Sequence, residues 1–237
     1  MFPLCDDGFK VISMKVLAIV GSPHGTWGCT YRLTKRMLEE CEVHGGDTEI
    51  ILLQDHRINY CKGCGSCIVK GECPQNDDVK MIQGKMIEAD GIVMASPVYV
   101  LHVTGLMKNF IDRCLPMVHR PSLHGKYAAA ISVYLGVGDV ESVARYMLNF
   151  LVTQGAYPVG VVAALAKNIM ELNEEDLDRA ASLGEEMVQC IMEKRRFNWE
   201  ETMLKSSEFQ MLKKLISEGR DFFKADYEYW KSKGWLD

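Results

Sequence analysis

The sequence predicts a three-layer α/β fold with a parallel central sheet. Three observations carry that prediction: five short apolar runs, helical patterns alternating with them, and Gly-, Pro- and hydroxyl-rich turns where a run ends. Such alternation implies right-handed crossovers, which place helices on both faces of the sheet.

The first run, "KVLAIV" (15–20), is apolar throughout, as a strand buried on both faces must be. Leu33, Met37, Leu38 and Cys41 then fall at helical spacing. "TEIILL" (48–53) is the second strand, and "DDVKMIQGKMIEA" (77–89) the next helix after an intervening loop. "GIVMAS" (91–96) leads into the helical "VTGLMKNFIDRCL" (103–115), and "YAAAISVY" (127–134) into "DVESVARYMLNFLVTQ" (139–154). "YPVGVVAA" (157–164) and "EEDLDRAASLGEEMVQCIMEK" (174–194) complete the series.

At 237 residues, 48% apolar and 25% charged, the chain is an ordinary globular protein that needs no staples to form a core. The expected division is an N-terminal disordered extension (1–13), one α/β domain (14–195) and a helical C-terminal extension (196–237). The extension carries nine aromatic residues, from Phe197 and Trp199 to Trp235, and is expected to dock either on another subunit, the favoured surface, or on its own domain. A net charge of −5 offers no footprint for nucleic acid or an anionic membrane. No apolar run reaches the eighteen residues of a membrane span. Asp6 and Asp7 stand where a signal peptide needs basic residues, so the expected compartment is the cytoplasm. Thiols stay reduced there, and nine cysteines favour metal or redox chemistry over disulfides.

Ligands of open α/β sheets bind outside the carboxyl ends of the strands. The turn after the first strand, "GSPHGTWGCTYRL" (21–33), suits an anion at a helix N-terminus, with Ser22, Thr26, Gly28 and Thr30 as candidates. The same residues also make an ordinary capped turn. Neither G-x-G-x-x-G nor G-K-[ST] is present, which disfavours a dinucleotide or a triphosphate and leaves a monophosphate. After the third strand, Pro97, Val98 and Tyr99 form a flat apolar wall with an aromatic beside it, suited to a planar ring. "YLGVGD" (134–139) is a third Gly-rich turn at that edge.

"KVLAIVGSP", a Gly-x-Thr before the helix, a four-cysteine loop, "DDV", "EADGIVMASPVYV" and "TGLMKNFIDR" occur in one order. That order resembles the flavodoxin-like NADPH-dependent FMN reductase superfamily, and the cysteines make the chain most similar to its iron–sulfur flavoprotein branch. The resemblance covers residues 14 to 165 well and implies FMN and a sheet ordered 2-1-3-4-5. Carried over, it implies that Ser22, Gly28, Cys29 and Thr30 hold the phosphate. Pro97, Val98 and Tyr99 would line the ribityl chain and ring, and Gly136 would approach the ring edge. The first loop departs from the pattern: His24 stands where the family usually has Arg, Cys29 where it has Asn, and one residue is added between them.

The cysteine spacing is Cys61-x2-Cys64-x2-Cys67-x5-Cys73, followed by Pro74. A compact run lets three thiolates meet one face of a [4Fe–4S] cubane while a fourth closes from farther along. Gly63, Gly65 and Gly71 relieve the backbone crowding of that wrap. Zinc normally uses two separated C-x2-C pairs, and relatives also exist whose cysteines bind nothing. Cys41, Cys114 and Cys190 lie on helical faces among apolar neighbours, as core residues do. Asp112 and Arg113 are expected to form a structural or subunit-contact pair rather than a catalytic one.

The resemblance further implies an oxidoreductase taking electrons from ferredoxin, or a similar carrier, and passing them to a small acceptor. The expected assembly is a homodimer or homotetramer. An alternative is a cluster-free NAD(P)H-dependent FMN or quinone reductase, and a third is a thiol- or metal-responsive binding protein.

Overall fold

The computed structural model describes residues 14–136, 139–198 and 205–236. The expected N-terminal extension, Cys5 and Trp199 lie outside the described residues. Five strands form one parallel sheet in the order β2-β1-β3-β4-β5: β1 Met14–Val20, β2 Gly46–Leu52, β3 Gly91–Pro97, β4 Tyr127–Tyr134 and β5 Tyr157–Leu165. The five expected strands are therefore present, within two residues at each end, and so is the expected order.

Alternate residues of each strand feed opposite faces. Leu17, Ile19, Ile92, Met94, Ala128 and Ala130 meet α3 (Val79–Glu88), α4 (Gly105–Arg113) and α6 (Val140–Thr153) through Ile82, Met86, Met107, Phe110 and Met147. Val16, Ala18, Val93, Ala95 and Ile131 meet α1 (Cys29–Val43) and α7 (Glu174–Met192) through Leu33, Met37, Leu183 and Met187. Both faces are covered, so the central strands are apolar without alternation. Each fully buried Leu, Met or Phe contributes about 1.5–3 kcal/mol by leaving water.

Helices α1 and α7 touch at Gly184. A Cβ there would stand 2.3 Å from the Met37 carbonyl oxygen, so only glycine permits this approach. Glycine inside a helix costs about 1 kcal/mol, and close packing is what offsets it. Cys41, Cys114 and Cys190 are fully buried, as expected. Burial pushes the Cys41 and Cys114 thiols up to about 12, which makes them unreactive fillers.

The C-terminal segment forms α8 (Ser207–Glu218) and α9 (Lys224–Ser232) around a small core of Phe209, Ile216, Trp230 and Leu236. Trp230 stacks on Phe209 at 4.4 Å, and its indole N–H donates to the His119 carbonyl at 2.6 Å. Tyr229 donates to the Pro121 carbonyl, also at 2.6 Å. These aromatics dock on their own domain, at the short α5 (Leu115–His119) and the cysteine loop. Of the two surfaces left open by the sequence, the chain's own domain receives these contacts, and nothing local in the sequence marks α5 as that surface.

Candidate active site and cysteine loop

The carboxyl ends of β1, β3, β4 and β5 open on one cleft of about 210 Å³. A buried polar knot fixes its frame. Thr104 caps α4 by accepting from the Met107 N–H at 3.1 Å, and its hydroxyl donates to the Gly21 carbonyl at 2.5 Å. Its own N–H donates to Ser96 Oγ at 3.1 Å, which ties β1, β3 and α4 together.

Six of the residues singled out in the sequence line this cleft: His24, Cys29, Thr30, Pro97, Val98 and Tyr99. Gly28 is the N-cap of α1, and a Cβ on it would come within 2.7 Å of His24 Cβ. Ser22 is buried behind the turn, where its hydroxyl accepts the His24 N–H at 3.2 Å. Thr26 points to solvent and is not part of the lining, because residues 25–27 form a 3-10 turn that carries it outward. Gly136 also lies off the lining; its neighbour Leu135 takes the place on the wall.

Val133, Ala166, Asn168 and Ile169 complete the wall and were missed in the sequence. Their signal was topological: they stand at the carboxyl ends of β4 and β5, at the same edge as the other loops. The loop after β5 reaches the start of α1. There the Ile169 carbonyl accepts the Cys29 N–H at 3.2 Å, and the Asn168 carbonyl accepts the Cys29 thiol at 3.4 Å. Burial raises the Cys29 thiol above its ordinary range despite nearby Arg32, so it is a weak donor rather than a nucleophile.

The cleft rim is apolar and strained. Tyr99 and His102 exchange backbone hydrogen bonds at 2.8 and 3.1 Å across Val100 and Leu101, whose φ values are 47° and 66°. Both central residues are left-handed, the geometry that Asn-Gly normally fills. Here a β-branched residue and a leucine occupy it, at a cost of order 1–3 kcal/mol each. Val100 is 97% exposed, and Trp27, Tyr99, Leu135 and Met170 are exposed as well.

The cysteine loop leaves the sheet after β2 and carries the single-turn helix α2 (Ser66–Val69). Gly63, Gly65 and Gly71 take φ values of 62°, 68° and 88°, so each supplies the left-handed turn that the wrap requires. Cys61 and Cys64 are exposed, while Cys67 and Cys73 are half-buried. Among the described residues no three His, Cys, Asp or Glu side chains are gathered into a metal site. Burial raises the Cys67 thiol, and the neighbouring Cys73 and Cys61 add to the effect. Hydrogen bonds from the Ser66 N–H and hydroxyl lower that of Cys64.

Two arginines brace this loop. Arg113 Nη2 donates to Cys73 Sγ at 3.4 Å, and Nη1 donates to the Asn59 carbonyl at 2.6 Å and to Asp77 at 2.5 Å. Arg120 donates to the carbonyls of Cys67 at 3.3 Å and Gly71 at 2.8 Å, and pairs with buried Asp226 at 2.7 Å. Asp226 also meets His119 Nδ1 at 2.8 Å. The expected Asp112–Arg113 pair does not form. Asp112 pairs with Lys108 on the exposed face of α4, while its neighbour Arg113 points inward to Asp77. Adjacent helical residues diverge by about 100° of arc, which local sequence pairing overlooks.

A doubly covered parallel sheet with a cleft at its carboxyl edge, between the first turn and a Pro-Val-Tyr wall, defines a flavodoxin-like protein. Solved structures agree on the fold. The Trp repressor binding protein of Bacillus subtilis superposes with a TM-score of 0.53 at 21% identity, covering 71% of this chain and 98% of that one. An archaeal flavodoxin gives 0.51 at 18%, covering 76% and 99%. Residues 14–170 match the NADPH-dependent FMN reductase family. An iron–sulfur flavoprotein of Archaeoglobus fulgidus is 40% identical over 94% of this chain and 100% of its own length. Another, from Methanocaldococcus jannaschii, is 37% identical over 62% of this chain and 76% of its own. The chain belongs to the NADPH-dependent FMN reductase family, in its iron–sulfur flavoprotein branch, and is a flavin-dependent oxidoreductase. Among the described residues no helix is long and apolar enough to cross a membrane.

Proposed function

We propose that the protein carries FMN in the cleft and a [4Fe–4S] cluster on Cys61, Cys64, Cys67 and Cys73. In this scheme it passes electrons between a one-electron carrier such as ferredoxin and a small acceptor. The observation that carries the proposal is the pairing of the cleft with a four-thiol loop leaving the same side of the sheet.

The residues fit both groups. For the phosphate there is a turn held free of side chain at Gly28, with Thr30 and His24 beside it at the start of α1. For the ring there is the wall of Pro97, Val98 and Tyr99. At about 210 Å³ the hollow is smaller than the usual small-molecule cleft, so the exposed rim must carry part of the ligand. For the cluster there are four free thiols, left-handed glycines and an arginine N–H already directed at one sulfur.

When bound, FMN exchanges one or two electrons and the cluster one, which joins carriers of different electron number. The chain's own residues bind and orient. Gly28, His24 and Thr30 receive the phosphate, Tyr99 and Val98 exclude water from the ring, and Arg120 with Asp226 holds the loop backbone. The apolar rim supports a homodimer or homotetramer, and a dense set of cysteines proposed to bind metal fits a reducing, cytoplasmic setting.

Visible absorption of protein purified without oxygen, before and after dithionite, tests the proposal. Flavin bands on a broad absorption that partly bleaches are expected. Cys64→Ala should remove the broad absorption and leave FMN bound; loss of flavin as well would argue against separate sites. A second reading follows the family match over residues 14–170, NADPH-dependent FMN reductase: a cluster-free reductase that oxidises NAD(P)H. It predicts clean flavin bands, no iron, and fast bleaching by NADPH.

Gly28→Ala provides a local test of the cradle. The added methyl must displace His24, and a cost of about 1.4 kcal/mol weakens FMN about tenfold. Quenching of FMN fluorescence on titration with apoprotein reads this directly. Unchanged affinity would move the phosphate elsewhere.

A further inference from the structure

We propose that Arg113 is a positioning residue that sets the reduction potential of the iron–sulfur group by acting through Cys73; this rests on the cluster proposed above. Its side chain is 2% exposed and that of Asp77 is unexposed. Asp77 and the Asn59 carbonyl fix the guanidinium from one side. From the other, Nη2 reaches Cys73 Sγ at 3.4 Å. The Nε–H is buried without a partner among the described residues, an unusual state for so strong a donor.

A brace alone does not need this arrangement. Arg120 already holds the loop, and it does so through the carbonyls of Cys67 and Gly71 without donating to a thiol. Arg113 donates to the sulfur itself. Hydrogen bonds to the sulfurs and local charge are what set cluster potentials. Reduction adds one electron to the cluster and makes or breaks no bond. The added negative charge is stabilised by the guanidinium that donates to the Cys73 sulfur, so Arg113 raises the potential. Asp77 offsets part of that charge and lowers it. The two residues therefore act with opposite sign.

Redox titration of the full-length, anaerobically purified protein tests this, with dithionite as reductant and the paramagnetic signal of the reduced cluster as readout. Relative to wild type, Arg113→Gln is expected to move the midpoint to more negative values. Asp77→Asn, which keeps an acceptor oxygen, is expected to move it to more positive values, both with iron per chain retained. Unchanged midpoints, or shifts of the same sign, overturn the proposal, since a loosened loop would move both variants alike. If Arg113→Gln fails to hold iron, Arg113→Lys carries the test: it keeps the charge but shortens the reach, so a smaller negative shift is expected. A wild-type midpoint in iron-loaded Arg113→Lys, or loss of iron from all three variants, reduces Arg113 to a structural brace and overturns the proposal. Absence of iron from the wild type itself refutes the cluster instead, and is read separately by metal analysis.

Discussion

Asp77→Ala is expected to lower the stability of the protein by about 3 kcal/mol, because it strands the Arg113 guanidinium in a site that water does not reach. Breaking a buried pair costs about 3–5 kcal/mol in general, and the lower figure applies because Arg113 keeps its bonds to the Asn59 carbonyl and to Cys73. The carboxylate also accepts the N–H groups of Asn59 at 3.0 Å and Val79 at 3.3 Å, so the start of α3 loosens with it. Urea unfolding followed by far-ultraviolet circular dichroism measures the loss. A change below 1 kcal/mol would mean that water already relieves Arg113.

The same residue gives the protein an acid limb. Burial pushes the Asp77 carboxyl up, but donation by Arg113 and by the Asn59 N–H outweighs it and holds it below the ordinary 3.8. A depressed folded value contributes stability that is present above pH 3.8 and lost as pH falls through the folded value. Asp77→Ala should flatten that part of the stability profile. A variant whose acid limb parallels the wild type would assign the limb to other carboxylates.

Trp230→Ala is expected to release the C-terminal helices. Removing a fully buried tryptophan costs about 3–5 kcal/mol, and here it also leaves the His119 carbonyl without its donor. The helices α8 and α9 have a small core of their own, separate from those of the sheet, so they are expected to open as a unit. Hydrogen exchange should lose protection in residues 205–236 and in the cysteine loop. Phe222 and Ala225 lie 3.5 and 3.4 Å from where Cβ atoms on Gly65 and Gly71 would stand, so α9 and the residues leading into it cover that loop. Amides of β1 and β3 should keep their protection; uniform loss across the sheet would make the extension part of one cooperative core.

The difference between what was legible and what was not follows from range. The β3 run is buried on both faces, so its apolar pattern survives any choice of neighbours. The turn from Ser22 to Thr30 was legible as a site because a strand end, a glycine and a helix start lie within a few residues. Asn168 and Ile169 belong to the same cleft from 139 residues away, along Cys29 Sγ to Asn168 O, and carry no local signature. Arg113 looked like a partner for its neighbour Asp112. Its real partner, Asp77, is 36 residues distant, and the inward turn of α4 selected it.

By itself the sequence determined the parallel sheet, its order through family likeness, the carboxyl edge as the place of the site, and the four thiols. Apart from the order, these depend on periodicity and spacing, which short stretches of chain encode. Only the tertiary structure decided that the tail docks on its own cysteine loop and that Arg113 and Arg120 face that loop from two sides. It alone decided that Leu135, rather than Gly136, lines the cleft. The physical reason is that buried charges and aromatic faces choose partners by proximity in the folded chain, and proximity across a hundred residues is set by packing rather than by any local pattern.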